Sequence, residues 1–209
     1  RCFTPEQCVY AISVSHPDKI YRDRTVDFFN QHIEAAVQLD CDHMVVSTGF
    51  AYLDVDAEDS FGWCAEAMGR IARKAEQEGV TLAVEPFTKY TTHICNEASQ
   101  LRRLLRTVNS LRLMGLADTD VIATTAVDTF STFLDVIGQE NLGHVHFVDG
   151  NPGGHLVPGV GVLDLDGALE KLKAIHYTGA LGLEVLDRRY VFAPEAAMKQ
   201  AMDWYKERI

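Results

Sequence analysis

Short apolar runs alternate along this chain with amphipathic stretches, and four of the runs end on a carboxylate or an imidazole. TLAVEP carries Glu85, LMGLADTD carries Asp118, HVHFVDG carries His146 and LGLEVL carries Glu184. An apolar run that stops at such a residue is the pattern of a parallel strand that buries its body and opens its C-terminal tip to a site. Between the runs, apolar residues recur at three and four positions. Val26, Phe29, His32, Ile33, Ala36 and Val37 predict a helix over 25–39, and a second one spans 60–77 and closes at Gly79. Further helices are expected over 97–108 with Asn96 as N-cap, over 129–137, over 166–175, and from Pro194 towards Arg208. Strands are expected at 44–46, 81–85, 111–118, 144–149 and 180–186.

This β-α-β-α order calls for parallel strands joined by helical crossovers, which is an α/β fold. No Gly-x-Gly-x-x-Gly follows a strand, so a dinucleotide-binding sheet has no support. In an open sheet the four tips would lie along a line. In a (β/α)8 TIM barrel they converge on one mouth, so a barrel is expected, forming a single domain over 1–209. With 209 residues, 47% of them hydrophobic, the chain can build one sizeable core.

A net charge of −11 repels phosphate backbones, which argues against a nucleic-acid partner. Arg102, Arg103 and Arg106 cluster, but on a helical stretch, where a solvated face accounts for them. The five cysteines are odd in number and match neither a zinc knuckle nor a CxxC pair, which favours a reducing, cytoplasmic location. No apolar run is long enough to span a membrane.

Three carboxylates and one imidazole suit a hard divalent ion such as Mn²⁺ or Mg²⁺ and leave room for substrate oxygens. Each residue also has a plainer reading. Glu85 and Asp118 can cap the turns that follow them, Asp120 can replace Asp118 as the ligand, and only one of His144 and His146 need bind. Glu184, inside LGLEVL, would be costly to bury without a cation.

Glu85-Pro86, Asp118, the segment 146–149, the segment 157–161 and Leu183-Glu184-Val185 together resemble the xylose isomerase-like TIM barrels. Within them the chain is most similar to the sugar isomerase/epimerase branch of ketose 3-epimerases and fructoselysine 3-epimerases, over essentially its whole length. The resemblance implies an isomerase of carbohydrate metabolism that uses one divalent ion, Mn²⁺ first and Mg²⁺, Co²⁺ or Zn²⁺ as alternatives, held by Glu85, Asp118, His146 and Glu184. It implies that Glu85 and Glu184 also face each other across a ketose or ketose derivative as an acid–base pair acting through a metal-stabilised enediolate. Returning the proton to the same carbon gives epimerisation; returning it to the neighbour gives aldose–ketose isomerisation. His155 falls where the epimerases carry a substrate-binding Arg, and His93 aligns with a pocket His. Val121 stands where a His is usual, and Thr91 where a substrate-binding Glu is common. The glycine-rich stretch between His146 and Pro158 predicts a mobile pocket wall.

The same resemblance places residues 1–6 at the end of a third strand, so two βα units and most of that strand would be missing ahead of Arg1. Relatives imply a homo-oligomer, dimer or tetramer, although the aromatic pair Trp204 and Tyr205 of the last helix is expected to face the core. The alternatives are an endonuclease IV-like phosphodiesterase on the same barrel, disfavoured by the acidic charge, and a non-catalytic sugar-binding barrel, which has no need of two opposed carboxylates.

Overall fold

In the computed structural model, which describes residues 12–50, 52 and 54–208, five parallel strands form one sheet in the order β1-β2-β3-β4-β5. The strands are β1 (His43–Ser47), β2 (Thr81–Glu85), β3 (Leu113–Asp118), β4 (Leu142–His146) and β5 (Leu181–Gly182). Each pairs with its predecessor in the chain. A strictly sequential order with right-handed crossovers places every connecting helix on the same side of the sheet, which is the winding of a barrel wall. The strand end expected at residues 1–6 lies outside the described residues.

The helices are α1 (Lys19–Gln38), α2 (Ala57–Glu78), α3 (Ala98–Val108), α4 (Thr119–Thr125), α5 (Phe130–Ile137), α6 (Leu165–Ala174) and α7 (Pro194–Lys206). The helix α2 shows why these stretches fold as they do. Asp56 caps its start, accepting from the amides of Glu58 and Asp59, and Gly79 ends it with φ of 76°, a left-handed conformation that suits glycine. Its buried residues Phe61, Cys64, Ala67, Met68, Ile71 and Ala75 repeat at three and four positions and pack on Leu82 and Val84 of β2. Burying each large member of that stripe contributes about 1.5–3 kcal/mol. None of the helices is long and apolar enough to cross a membrane among the described residues.

Strand residues divide between two faces. Leu82, Val84, Leu113, Ala117, Val145 and Phe147 belong to the core under the helices, while Glu85, Asp118 and His146 point to the other face. The ladder between β3 and β4 is irregular: Gly115 pairs with Leu142, but Leu116 pairs with His144, so Gly143 is an extra residue. A Cβ on Gly143 would lie 2.7 Å from that of Met114, which explains the glycine.

Several expected boundaries shift. Asn96 is not the N-cap of α3; Glu97 is, because Gln100 Oε1 reaches back to accept from the amides of Asn96 (2.9 Å) and Glu97 (3.3 Å). The last strand is shorter than 180–186, since only Leu181 and Gly182 pair with β4. Beyond them, the Leu186 amide donates to the carbonyl of His155 (3.1 Å), a loop residue. The helix α4, which follows β3 without a break, has no counterpart among the helices expected from the sequence. Tyr205 faces the core as expected, donating to the Phe147 carbonyl (3.1 Å), and Trp204 packs beside Phe147. Cys41, Cys64 and Cys95 are free thiols. Arg103 forms a double hydrogen bond with Glu58 on the exposed face of α3.

Candidate metal centre

Glu85 ends β2, Asp118 ends β3, His146 ends β4, and Glu184 lies two residues past the end of β5. One ligand atom from each lies within 4.8 Å of those of the other three. The side chains converge on His146: its Nδ1 stands 3.1 Å from Glu85 Oε1, 3.2 Å from Glu184 Oε2 and 3.4 Å from Asp118 Oδ2. Glu85, Asp118 and His146 are buried, and Glu184 is the most exposed of the four, at 28% of its side chain.

Asp118 divides its carboxylate between two tasks. Its Oδ1 accepts from the amides of Asp120 and Val121, both at 2.8 Å, and so caps α4. Its Oδ2 is fully buried and makes no hydrogen bond among the described residues, although imidazole nitrogens of His146 and His155 lie 3.4 Å away. Asp118 caps α4 with one oxygen, which leaves the other free for the expected ligand role. An orphaned carboxylate oxygen in the midst of two further carboxylates and an imidazole is the donor set that a hard divalent cation satisfies.

The electrostatics agree. Burial opposes a charge on His146, but the carboxylates of Asp118, Glu184 and Glu85 around its Nδ1 outweigh that and push its pKa up to about 11. Burial likewise opposes charge on Asp118, yet the imidazoles of His146 and His155 beside its Oδ2 lower its pKa to about 2. The hydrogen bond from His146 holds Glu184 below the usual carboxylate range. Three carboxylates around Nδ1 favour a positive charge at that point of the cluster, and a divalent ion would supply it in place of a proton.

Two further carboxylates build the wall beside this cluster. Asp149 accepts from the amides of Gly150 (2.8 Å) and Leu163 (3.1 Å) on Oδ1, and of Gly159 and Gly161 (both 2.9 Å) on Oδ2. Asp120, fully buried, accepts from the amides of Gly153 (2.5 Å) and His155 (2.9 Å). Thr119 Oγ1 joins the end of β3 to the chain after β4, donating to the Val148 carbonyl (2.5 Å) and accepting from its amide (2.9 Å). The stretch expected to be a mobile wall is tied down at both ends, because glycine amides without side chains can crowd around a buried carboxylate. Gly150 shows how closely: a Cβ there would sit 1.7 Å from Asp120 Oδ1. Gly150→Ala is expected to destabilise the protein by about 2–3 kcal/mol through overpacking, read as a drop in the urea midpoint.

The structure brings Glu85, Asp118, His146 and Glu184 together and adds His155 at their edge, with Nε2 at 3.4 Å from Asp118 Oδ2 and 3.6 Å from Glu184 Oε2. Asp120 does not replace Asp118 as a donor; its oxygens are engaged by the loop. His144 stacks edge-on against His146, with ring centroids 5.3 Å apart, and is not one of the four. His93 lies on the loop after β2, with a buried Nε2 that finds no hydrogen-bond partner among the described residues. The supporting roles of Asp120 and Asp149 escaped the sequence reading. For Asp149 the available signal was its place directly before Gly150, whose amide needs an acceptor; Asp120, followed by Val121, carries no such signal.

Residues 3–208 match the family of xylose isomerase-like TIM barrels. The fructoselysine 3-epimerase of Shigella flexneri is 25% identical over 206 residues, which is 98% of this chain and 74% of that protein. Among solved structures, 3-keto-D-glucoside 4-epimerase from E. coli superposes with a TM-score of 0.83 at 19% identity, covering 93% of this chain and 75% of that one. The D-psicose 3-epimerase of Clostridium cellulolyticum H10, solved with D-tagatose, gives 0.81 at 19% identity over 94% and 74%. A family match across nearly the whole chain, an α/β fold with a sequentially wound parallel sheet, and carboxylates and an imidazole gathered from successive strand ends lead to one statement: the chain belongs to the xylose isomerase-like TIM barrel family.

Proposed function

We propose that this protein is a divalent-metal-dependent sugar epimerase acting on a ketose or ketose derivative. The observation that carries the proposal is the orphaned Asp118 Oδ2 at the centre of a four-donor cluster. The epimerase names of the relatives support the reaction class. The oxygen-rich donor set favours Mn²⁺, with Mg²⁺, Co²⁺ or Zn²⁺ as alternatives. Such an ion would supply Lewis acidity towards a carbonyl and its neighbouring hydroxyl oxygen, acidifying the adjacent C–H.

The rest of the reaction falls to the side chains. Glu85 and Glu184 come from β2 and from beyond β5, with two strands between them, so they reach the centre from opposite sides of the cluster. One carboxylate removes the proton next to the carbonyl, leaving the substrate as an enediolate. The other delivers a proton to the opposite face of the same carbon, which inverts it. His146 and Asp118 hold the centre, and His155 offers Nε2 at its edge for a sugar hydroxyl. His93 is proposed as a second substrate contact.

The experiment is proton exchange in D₂O with Mn²⁺ and a panel of ketoses, including D-psicose, D-tagatose, D-fructose and fructoselysine. Deuterium is expected at C3 of at least one of them and is expected to vanish with a chelator. Incorporation at C1 or C2 would instead identify an aldose–ketose isomerase. No exchange into any ketose by Mn²⁺-saturated protein would overturn the proposal.

A further inference from the structure

Glu184 has the least support of the four donors. It lies past the last ladder pair of β5, on backbone with no neighbouring strand among the described residues, and it is the most exposed of the set. Two backbone hydrogen bonds bracket it. Upstream, the Phe147 amide donates to the Gly182 carbonyl (2.8 Å), and downstream the Leu186 amide donates to the His155 carbonyl (3.1 Å). His155 thus grips the segment through its main chain and also reaches Glu184 Oε2 with Nε2 at 3.6 Å.

His155 is itself held in an unfavourable state. Its φ is 49°, a left-handed conformation costly for a residue with a Cβ, and such a state persists only where surrounding contacts impose it. Asp120 imposes it. One carboxylate oxygen, Oδ2, accepts from the His155 amide (2.9 Å) and lies 3.0 Å from Nδ1 of the same residue, while Oδ1 accepts from the Gly153 amide (2.5 Å). With Nδ1 engaged from behind, Nε2 has one direction left, towards Glu184 and Asp118.

We propose that Asp120 is a positioning residue that acts through His155 to fix Glu184 in the cluster. The role assigned to Glu184 rests on the function proposed above, but the mechanical chain from Asp120 to His155 to the Glu184 segment does not. A carboxylate that orients a histidine beside a metal donor changes affinity without touching the ion.

The test uses Asp120→Asn and His155→Gln, singly and together. Each single variant is expected to weaken Mn²⁺ binding, measured by calorimetry, by about 10–100-fold. In ketose exchange, Asp120→Asn should lower kcat while KM changes little, whereas His155→Gln, which also loses the proposed sugar contact, should lower kcat and raise KM. The double variant should be no worse than the poorer single one, as expected for residues acting in one chain. Singles that bind Mn²⁺ within twofold of the parent and keep its kcat would overturn the proposal, as would losses that multiply in the double variant. If Asp120→Asn does not fold, His155→Gln carries the same test, since its side chain is partly exposed.

A separate arm needs neither metal nor substrate. In the metal-free protein, NMR should show a slowly exchanging Nδ1–H resonance for His155. In Asp120→Ala, which leaves Nδ1 no acceptor, that resonance should disappear and the Glu184 carboxyl carbon should shift. A resonance that survives the substitution would refute the chain even in an active enzyme. Its loss in a protein that exchanges no ketose proton would leave the chain standing and reject only the epimerase reading.

Discussion

Glu184→Gln is expected to slow deuterium exchange into the ketose by about 10²–10⁴-fold, the range set by losing one partner of an acid–base pair. The amide has nearly the shape of the carboxylate but cannot take up a proton from carbon. The residue is partly exposed and lies outside the strand ladder, so the fold should survive the change. The substitution also removes one anionic donor from around His146 Nδ1, and metal affinity should fall with it. Initial rates must therefore be taken at saturating Mn²⁺, established by titration, so that loss of the ion is not mistaken for loss of the base. A saturated variant retaining more than a tenth of the parent rate would remove Glu184 from the pair and leave it a ligand only.

Asp149→Ala should be the most damaging single change to stability among the residues of the site wall, at about 3–5 kcal/mol by urea unfolding. The buried carboxylate accepts from four backbone amides, those of Gly150, Gly159, Gly161 and Leu163. Each amide stranded without an acceptor costs about 1–3 kcal/mol, and the total is smaller than the sum because a loosened loop readmits water. Asp149→Asn keeps one accepting oxygen and should lose roughly half as much. A loss below about 1 kcal/mol for the alanine variant would show that the loop holds its shape without the carboxylate.

The strand tips were legible in the sequence because a parallel strand is apolar along its length, so a charge at its end stands out. Glu85, Asp118, His146 and Glu184 were all visible in that way. The helix α4 was not, because its N-cap is Asp118 itself, and no polar gap separates the strand from the helix. Asp120 and Asp149 were misjudged or passed over for a different reason. They work by accepting from main-chain amides, and an amide is the same at every residue, so apart from the glycine after Asp149 no side-chain pattern announces the partnership. The brevity of β5 was hidden too: LGLEVL has the composition of a full strand, and only the tertiary contact between Leu186 and His155 shows that the chain leaves the sheet early.

The extra residue in β4 has a consequence for how core and chemistry share a strand. In a regular strand, residues two apart look the same way, so Leu142, His144 and His146 would all face one side. Here Leu142 lies in the core under the helices, whereas His146 faces the candidate metal centre. Gly143 reverses the parity between them. Straightening the strand would force a choice between a leucine stranded among carboxylates and a histidine lost into hydrocarbon. Drift at this position is therefore constrained by arithmetic as much as by size: a residue that pulls the bulge into the ladder would leave every side chain unaltered in kind and still turn one of the two ends of the strand to the wrong side of the wall.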